Sequence, residues 1–584
     1  MQFPTRPPAA SHISRRAASV LLLLIFSATL LAPFVSAQSL GDFQTRGSGN
    51  WNKSNTWEEW NGSPWINNKV VPDFSSGQIT IRLGHSVNGN AIGDYDQVVI
   101  EAGATLSLSK SFTILDGPGT DLHVFGTLVV GSNVILQGAA TAISEPNSAL
   151  DIGRLGSFAV LGTSSVQFLS PVTIASTSDF IVGDAATATL ASGSILTNGT
   201  QGVIDVSISG SLSFAGSTVI NEGLITTGGS GTISFDATSE YVHAQDGGSF
   251  PPASSTTWAT GSTASITGAD RNTTSGLDAS FSNFVWNSPA QSKEIDLQGV
   301  LISVSGDLTI SSTGSGSIMF SAAGTALNIG GNYTQDGGNV VFQDTGSAAM
   351  TVGGDFQLNV GTFNLAATGG TPVLDVNGDL LIAGALENTG SGTATISLSS
   401  ASTQIIDVSG SLSGLINLEL NGSGGILLAN DLTLPGSLTE TIGGLDLNGF
   451  NLTLSGSLTL ASLLQNAGLL TFNGPDPSTL SAPSPFQVEE MVIDKAPSTL
   501  TLLSDLEIGT SLIIRSGDFD VDGFNVILAP RATFYNASGA PFPGTVTIER
   551  SWTDSSDGWL SLLRFLSTSF PSTLESDRRQ PMHR

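Results

Sequence analysis

The chain has 584 residues, no cysteine, 69 glycines and 11% charged residues, with a formal net charge of −29. The lack of cysteine excludes disulfides, thiolate metal sites and a cysteine nucleophile. Residues 38–563 hold 12 Lys or Arg against 46 Asp or Glu, a formal charge of −34. Because such a body repels polyanions, we expect no nucleic-acid partner.

Residues 1–37 have the pattern of a secretory signal peptide. Arginines precede an apolar run at residues 17–31, and a small-residue cleavage site ends at Ala37. The run is shorter than the roughly twenty residues that span a bilayer. We therefore expect cleavage after Ala37, a secreted or cell-surface protein, and no transmembrane segment in the mature chain.

Residues 38–110 are expected to form an N-terminal cap and the first coils of the fold. They contain four of the eight tryptophans, Trp51, Trp57, Trp60 and Trp65. Aromatic side chains can stack on sugar rings, so these four are candidate ligands of a glycan. They can also cover an exposed strand edge. We favour the cap and keep the glycan platform as the alternative.

Internal repeats predict the fold of the remaining chain. Glycine followed by Asp or Asn precedes a strand at steps of 25, 23 and 24 residues, as Gly306-Asp307-Leu308, Gly331-Asn332-Tyr333, Gly354-Asp355-Phe356 and Gly378-Asp379-Leu380. A second match, between Asp431-Leu432 and Asp505-Leu506, has an offset of 74 and is interpreted as three coils. Together with the alternation of apolar and polar residues, these periods predict an all-β, right-handed parallel β-helix (solenoid) with coils of about 23–26 residues.

The regularity of the repeats differs along the chain. We expect an irregular solenoid over residues 111–300 and regular coils over residues 301–535. Tandem β-sandwich domains are the architectural alternative for the N-terminal half. Residues 536–584 lose the repeat, and we expect a C-terminal tail that is truncated or frameshifted near residue 562.

Two blocks carry a family resemblance. The segments Gly47-Ser48-Gly49-Asn50-Trp51, Asn55-Thr56-Trp57 and Gly84-His85-Ser86-Val87 resemble the opening of secreted or cell-surface β-helix repeat proteins of the Bacteroidota type. This start is also similar to a divergent G8 domain. A later block, from Tyr241-Val242-His243 to Phe284-Val285-Trp286-Asn287, resembles one that recurs in the same proteins. The resemblance implies a secreted β-helix and, at the C-terminus, a sorting domain that this sequence lacks.

Asp307, Asp355 and Asp379 are the only stacked carboxylates that suggest catalysis. Polysaccharide lyases and glycosidases need convergent carboxylates, often with a basic partner. Here each Asp follows a turn glycine, where Asp accepts local backbone hydrogen bonds, and no basic residue lies between Lys293 and Lys495. We therefore assign them to turns and predict no catalytic or cofactor-binding residues.

Asp518, Asp520 and Asp522 form the candidate metal site. They alternate along one segment, so their carboxylates share one strand face, and carboxylate oxygens are the ligands that Ca²⁺ prefers. A solvated acidic face is the alternative. His85 and His243 are expected to be structural, because the five histidines lack zinc-ligand spacing.

Repetition without an interrupting site predicts a structural or adhesin-like protein without catalytic activity. Its expected partners are extracellular glycans or surface proteins. The alternative is a carbohydrate-active β-helix, either a polysaccharide lyase or hydrolase or a glycan-binding module, with its site at the Trp-rich start or at residues 240–300.

Overall fold

The computed structural model describes residues 38–537 and 546–548. The predicted signal peptide and nearly all of the predicted C-terminal tail lie outside these residues. The described chain is all-β with about 1% helix, which consists of two short 3-10 turns at Ser54–Thr56 and Ala253–Ser255. None of its helices is long and apolar enough to cross a membrane.

The strands stack as a parallel β-solenoid of about 21 turns, which confirms the predicted fold class. Alternation is the physical cause: in strands such as Ile79–Ile81 and Leu122–Val124 the first and third side chains are buried and the middle one faces outward. Because paired strands lie about 4.8 Å apart, the turns form a rod about 100 Å long. Parallel pairing also runs through the N-terminal half, in place of the alternative of tandem sandwiches. The right-handedness of the coil stays a prediction.

Five sheets form the sides of the rod. Sheet 1 comprises Phe43–Thr45, Trp57–Trp60, Trp65–Ile66, Ile79–Ile81, Val98–Ile100, Leu122–Val124, Thr141–Ser144, Ser165–Phe168, Thr187–Leu190, Ser211–Phe214, Thr232–Phe235 and Thr256–Trp258. Sheet 2 comprises Gly49–Asn50, Ser86–Gly89, Thr105–Leu108, Thr127–Val130, Ala149–Ile152, Val172–Ile174, Ile195–Asn198, Thr218–Asn221, Glu240–His243, Thr263–Ile266, Asn283–Asn287, Leu308–Ser312, Tyr333–Gln335, Phe356–Leu358, Leu380–Ile382, Gln404–Val408, Ile426–Leu428 and Leu445–Asp446. Sheet 3 comprises Gly93–Tyr95, Phe112–Ile114, Asn133–Leu136, Ser157–Val160, Asp179–Val182, Val203–Val206 and Leu224–Thr227.

The two remaining sheets form sides of the later coils. Sheet 4 comprises Glu294–Asp296, Ser317–Ser321, Asn339–Gln343, Thr362–Ala366, Ala385–Asn388 and Ser411–Gly414. Sheet 5 comprises Ser303–Val304, Leu327–Ile329, Ala349–Val352, Val373–Val376, Ala394–Leu398, Ile416–Leu420, Leu432–Leu434, Leu438–Glu440, Leu452–Leu454, Leu458–Thr459, Leu469–Asn473, Ser478–Ser481, Phe486–Leu502, Leu506–Asp520, Val526–Leu528, Thr533–Asn536 and Val546–Ile548. Sheet 2 continues between the two halves, whereas sheets 1 and 3 end before residue 260 and sheets 4 and 5 begin after residue 290.

The N-terminal end of the rod is covered by an antiparallel addition to sheet 1. Strand Trp57–Trp60 pairs with Phe43–Thr45 and with Trp65–Ile66, and both pairings are antiparallel. Phe43–Thr45 itself pairs in parallel with Ile79–Ile81, the next strand of the sheet. The Trp-rich segment therefore extends sheet 1 beyond its first parallel coil, at the place predicted for a cap.

The coil length changes along the rod. In sheet 1, residues paired in successive coils from Leu122 to Thr256 are 20 to 24 apart, so residues 111–300 contain coils of nearly constant length. The first predicted repeat is confirmed, because Leu308, Tyr333, Phe356 and Leu380 pair in register. Beyond residue 416 the coils of sheet 5 shorten to 18 to 22 residues.

The offset of 74 is not three coils, and that interpretation is wrong. Leu432 pairs with Leu452, whereas Leu506 pairs with Phe486 and Val526. Followed coil by coil, the Leu432 position leads through Leu470 and Met491 to Leu512 instead of Leu506. The similar sequences therefore occupy different positions around the coil.

Candidate functional site

The carboxylates with a suspected catalytic role belong to a structural ladder on sheet 2. In each rung, a side-chain oxygen accepts the backbone N–H of the equivalent residue one coil later. The rungs are Asn283 Oδ1 to Asp307 N (3.0 Å), Asp307 Oδ1 to Asn332 N (2.8 Å), Asn332 Oδ1 to Asp355 N (2.8 Å), Asp355 Oδ1 to Asp379 N (2.8 Å) and Asp379 Oδ1 to Ile405 N (2.8 Å). These contacts explain Asp307, Asp355 and Asp379 as structural groups, in agreement with their assignment to turns.

The glycine before each rung leaves room for the side chain of the preceding coil. A Cβ atom at Gly354 would lie 2.1 Å from Asn332 Oδ1, and one at Gly378 would lie 2.4 Å from Asp355 Oδ1. Real Cβ atoms do not approach so closely, so the Gly-Asp or Gly-Asn pair is a packing requirement. The most conspicuous sequence motif of the chain therefore serves the stacking of coils.

Two of the four candidate glycan-binding tryptophans belong to the core. Trp51 and Trp57 are each 1% exposed, with ring centroids 4.8 Å apart and nearly perpendicular planes. Trp57 Nε1 donates a hydrogen bond to the backbone oxygen of Trp51 at 2.7 Å. Tyr95 packs on Trp51 at 4.9 Å, and burial raises the pKa of Tyr95 to about 12. These residues close the end of the hydrophobic interior and cannot offer their faces to a sugar.

The other two tryptophans form a separate, half-buried pair. Trp60 and Trp65 are directly paired in the antiparallel hairpin, with ring centroids 5.4 Å apart. Because Trp57 faces the interior, the odd spacing along the strand places Trp60, and with it Trp65, on the outer face of sheet 1. Glu58 shares that outer face, hydrogen-bonded to Gln44 at 2.6 Å. The four predicted residues thus divide into a buried pair and an accessible pair.

The three acids proposed for calcium share one face, as their alternation predicts. Asp518, Asp520 and Asp522 are exposed, while Phe519 and Val521 between them are buried. Asp520 accepts the backbone N–H of Asp522 at 3.0 Å. Nowhere in residues 38–537 and 546–548 are three His, Cys, Asp or Glu side chains grouped so that they could hold a metal ion. The structure therefore does not bring these carboxylates together.

The two singled-out histidines make structural contacts. His243 is fully buried, its Nε2 lies 2.6 Å from the backbone oxygen of Gly247, and burial lowers its pKa. Its Nδ1 lies 3.3 Å from the hydroxyl of Tyr241, which accepts a hydrogen bond from Asn221. His85 Nδ1 lies 2.8 Å from Thr45 Oγ1.

Asp246 is a structural anion that sequence reasoning missed. Its Oδ1 accepts three consecutive backbone N–H groups, from Asp270, Arg271 and Asn272, at 2.8 to 2.9 Å. Burial tends to raise the pKa of Asp246, but these hydrogen bonds and one from the Asn272 side chain together lower it. The Asp-Gly-Gly turn at residues 246–248 was visible in the sequence, but the chain that folds over it one coil later was not.

A two-column array of hydroxyl groups on the outer face of sheet 1 was also missed. Thr187-Ala188-Thr189, Ser211-Leu212-Ser213 and Thr232-Ile233-Ser234 lie in register on successive coils. Their central residues are buried, so the flanking hydroxyls face outward. The sequence signal is the hydroxyl-apolar-hydroxyl triplet recurring after 24 and 21 residues, which gains meaning only once the coil length is known.

Comparisons with protein-family models, with curated proteins and with solved structures gave no match to this chain.

Proposed function

We propose that this chain is a secreted or cell-surface, adhesin-like or structural β-solenoid that acts without catalysis. The observation that carries the proposal is the ladder on sheet 2, where Asp307, Asp355 and Asp379 each accept a backbone N–H of the following coil. Carboxylates held in this way support the rod, and the same contact recurs from coil to coil. This use of acids fits a long rigid scaffold whose outer surface meets other molecules.

The surface and the sequence support the same proposal. A rod about 100 Å long presents a large polar surface for its mass, which suits contact with extracellular glycans or surface proteins. The formal charge of −34 over residues 38–563 favours solubility and disfavours polyanionic partners. The resemblance to secreted β-helix repeat proteins and the signal-peptide pattern of residues 1–37 motivate the extracellular location.

Fractionation of the producing cell and an adhesion assay test this proposal. The chain is expected in the medium or on the cell surface, with its N-terminus at Gln38, and the purified chain is expected to coat cells or extracellular matrix. Retention in the cytoplasm would contradict the location. Reproducible turnover of any polysaccharide in a reducing-sugar assay would contradict the lack of catalysis.

A carbohydrate-active protein is the second candidate, and the accessible Trp60–Trp65 pair favours it. Two adjacent indole rings on an outer face resemble a platform on which a sugar ring can stack. Glu58 lies on the same hairpin, within 3.9 Å of Arg82. Product release from cell-wall or plant polysaccharides that is lost in a Glu58→Gln variant would favour an enzyme. Binding without product release would favour a glycan-binding module.

A further inference from the structure

The outer face of sheet 1 differs in charge from the rest of the chain. Its six strands from Thr141–Ser144 to Thr256–Trp258 contain no ionisable residue. Nearer the N-terminus, ionisable groups on this face are paired: Glu58 lies 3.9 Å from Arg82, and Glu145 lies 2.7 Å from His123. A long neutral strip therefore runs along a body whose formal charge is −34.

The hydroxyl groups on this strip are available to a ligand. Thr187, Ser211, Thr232 and Ser234 are wholly or partly exposed, and their side chains make no hydrogen bond to another described residue. Elsewhere on the rod the outward polar groups are used internally, as in the sheet 2 ladder. An unused hydroxyl has both a donor and acceptor capacity, and a sugar hydroxyl can satisfy both.

The spacing of the array suits an extended sugar chain. Rows repeat every 4.7 to 4.9 Å along the rod, and the two columns are about 6.6 Å apart, because two residues of a strand separate them. The axial repeat is close to the length that one hexose adds to an extended polysaccharide. Successive sugars of a chain lying parallel to the rod can therefore meet equivalent hydroxyl pairs on successive coils.

An aromatic platform lies on the same face. Sheet 1 is continuous from the hairpin with Trp60 and Trp65 to strand Thr256–Trp258, a distance of about 50 Å for twelve strands. Trp60 and Trp65 face outward at one end, and the hydroxyl columns occupy the other half. Stacking on aromatic rings and hydrogen bonding to hydroxyls are the two interactions that an uncharged sugar offers.

We propose that the outer face of sheet 1 binds an extended, uncharged polysaccharide that lies along the rod axis, with Trp60 and Trp65 stacking against one end of it. The inference rests on the proposed adhesin-like function and names its partner class. Charge selects the partner: the surrounding anionic body repels acidic glycans, whereas a neutral chain meets a neutral strip.

Depletion binding to insoluble glycans tests the inference. The purified chain is mixed with microcrystalline cellulose, with insoluble β-1,3-glucan and, as an acidic control, with alginate beads. We expect binding to at least one neutral glycan and none to alginate at low salt. The variant Thr187→Asp/Thr232→Asp places two carboxylates on the strip and is expected to weaken binding at least about tenfold.

A matched variant controls for added charge. Thr105→Asp/Thr218→Asp adds the same two carboxylates to outward positions of sheet 2 and is expected to bind within about twofold of the unmodified chain. Trp60→Ala/Trp65→Ala is expected to weaken binding while circular dichroism stays unchanged. Equal binding by the two Asp pairs, preference for alginate, or no binding to either neutral glycan would overturn the inference. If the chain then still coats cells, the partner class alone fails; if it coats nothing, the adhesin-like function fails as well.

Discussion

Removal of the Asp355 carboxylate tests whether the ladder on sheet 2 holds neighbouring coils together. Asp355 Oδ1 accepts the backbone N–H of Asp379 at 2.8 Å, and Asp355 itself donates its N–H to Asn332. In Asp355→Ala the partly buried N–H of Asp379 loses its acceptor, while the contact to Asn332 is kept. The lost contact is therefore the single rung between two coils.

The expected cost follows from the chemistry of that rung. A hydrogen bond to a charged group contributes about 1.5–3 kcal/mol, and partial exposure reduces this to about 1–3 kcal/mol. Asp355→Asn is expected to cost less than about 0.5 kcal/mol, because Asn283 and Asn332 already serve as rungs. Gly378→Ala is expected to cost more, about 2–5 kcal/mol, since its Cβ would meet Asp355 Oδ1 and the backbone of Gly354 at 2.4 Å.

Amide hydrogen exchange is the appropriate assay, because coils in a solenoid interact mainly with their neighbours and a defect stays local. The Asp379 amide should exchange about 5- to 150-fold faster in Asp355→Ala, the factor that corresponds to about 1–3 kcal/mol. Amides of strand Ser165–Phe168, far along the rod, should be unaffected. Unchanged exchange at Asp379, or equal effects of Asp355→Asn and Asp355→Ala, would refute the role of the ladder.

Three further results are expected. Trp57→Ala should lower the free energy of unfolding of the N-terminal coils by about 3–5 kcal/mol, because Trp57 is 1% exposed, whereas Trp60→Ala should cost under about 1 kcal/mol; urea unfolding followed by circular dichroism separates them, and equal losses would contradict the burial. At pH 7, Asp96→Asn should stabilise the chain, because burial and the neighbouring acids raise the pKa of Asp96, and Asp246→Asn should destabilise it, because hydrogen bonds lower the pKa of Asp246. The charged form of Asp96 is unfavourable above its raised pKa, and the benefit of charged Asp246 is lost as pH falls through its lowered pKa, so both differences should shrink when urea unfolding is repeated at pH 4, and effects that persist there would argue against ionisation as their cause. Ile208→Asn should stabilise by about 1 kcal/mol in thermal unfolding, because Ile208 is 57% exposed and has φ of +58°, which Asn tolerates better than a β-branched residue; a lower midpoint would contradict the strain.

The repeat that predicted the coils correctly has a physical cause that acts between coils. A Gly-Asp or Gly-Asn pair recurs at steps of 25, 23 and 24 residues because the acid reaches one coil forward and the glycine admits the side chain from one coil back. The spacing of the motif is therefore the coil length. The match at an offset of 74 has no such link, since Asp431 contacts Asn451 and Asp505 contacts Asn525, each only 20 residues later.

Residues 111–300 form coils of nearly constant length without a comparable marker in the sequence. Several of their turns place residues other than glycine in the left-handed conformation, among them Asn147, Leu155, Thr177, Gln201 and Ile208, with φ between +58° and +70°. Left-handed backbone is the usual reason for a glycine at a turn, and here stacking of adjacent coils imposes it on other residue types. Sequence spacing therefore understates the regularity of this half of the rod.

The tryptophans show which part of a site a strand pattern can predict. The odd spacing between Trp57 and Trp60 places them on opposite faces of any strand that contains both, so one of them must be buried when the other is exposed. The sequence could not identify the exposed residue, because that depends on Phe43–Thr45 pairing antiparallel with this strand at the end of the rod.

The hydroxyl array raises the same dependence to the level of the whole sheet. Each triplet, such as Ser211-Leu212-Ser213, is unremarkable alone, since Ser and Thr are common throughout the chain. Only parallel pairing in register sets one triplet beside the next and turns separate hydroxyls into two columns. Because the register is fixed by the buried Ala188, Leu212 and Ile233, the interior of the solenoid determines the spacing of its outer surface. A substitution that shifts a coil by one residue would turn these hydroxyls toward the core, so the geometry of the strip is as conserved by packing as the core itself.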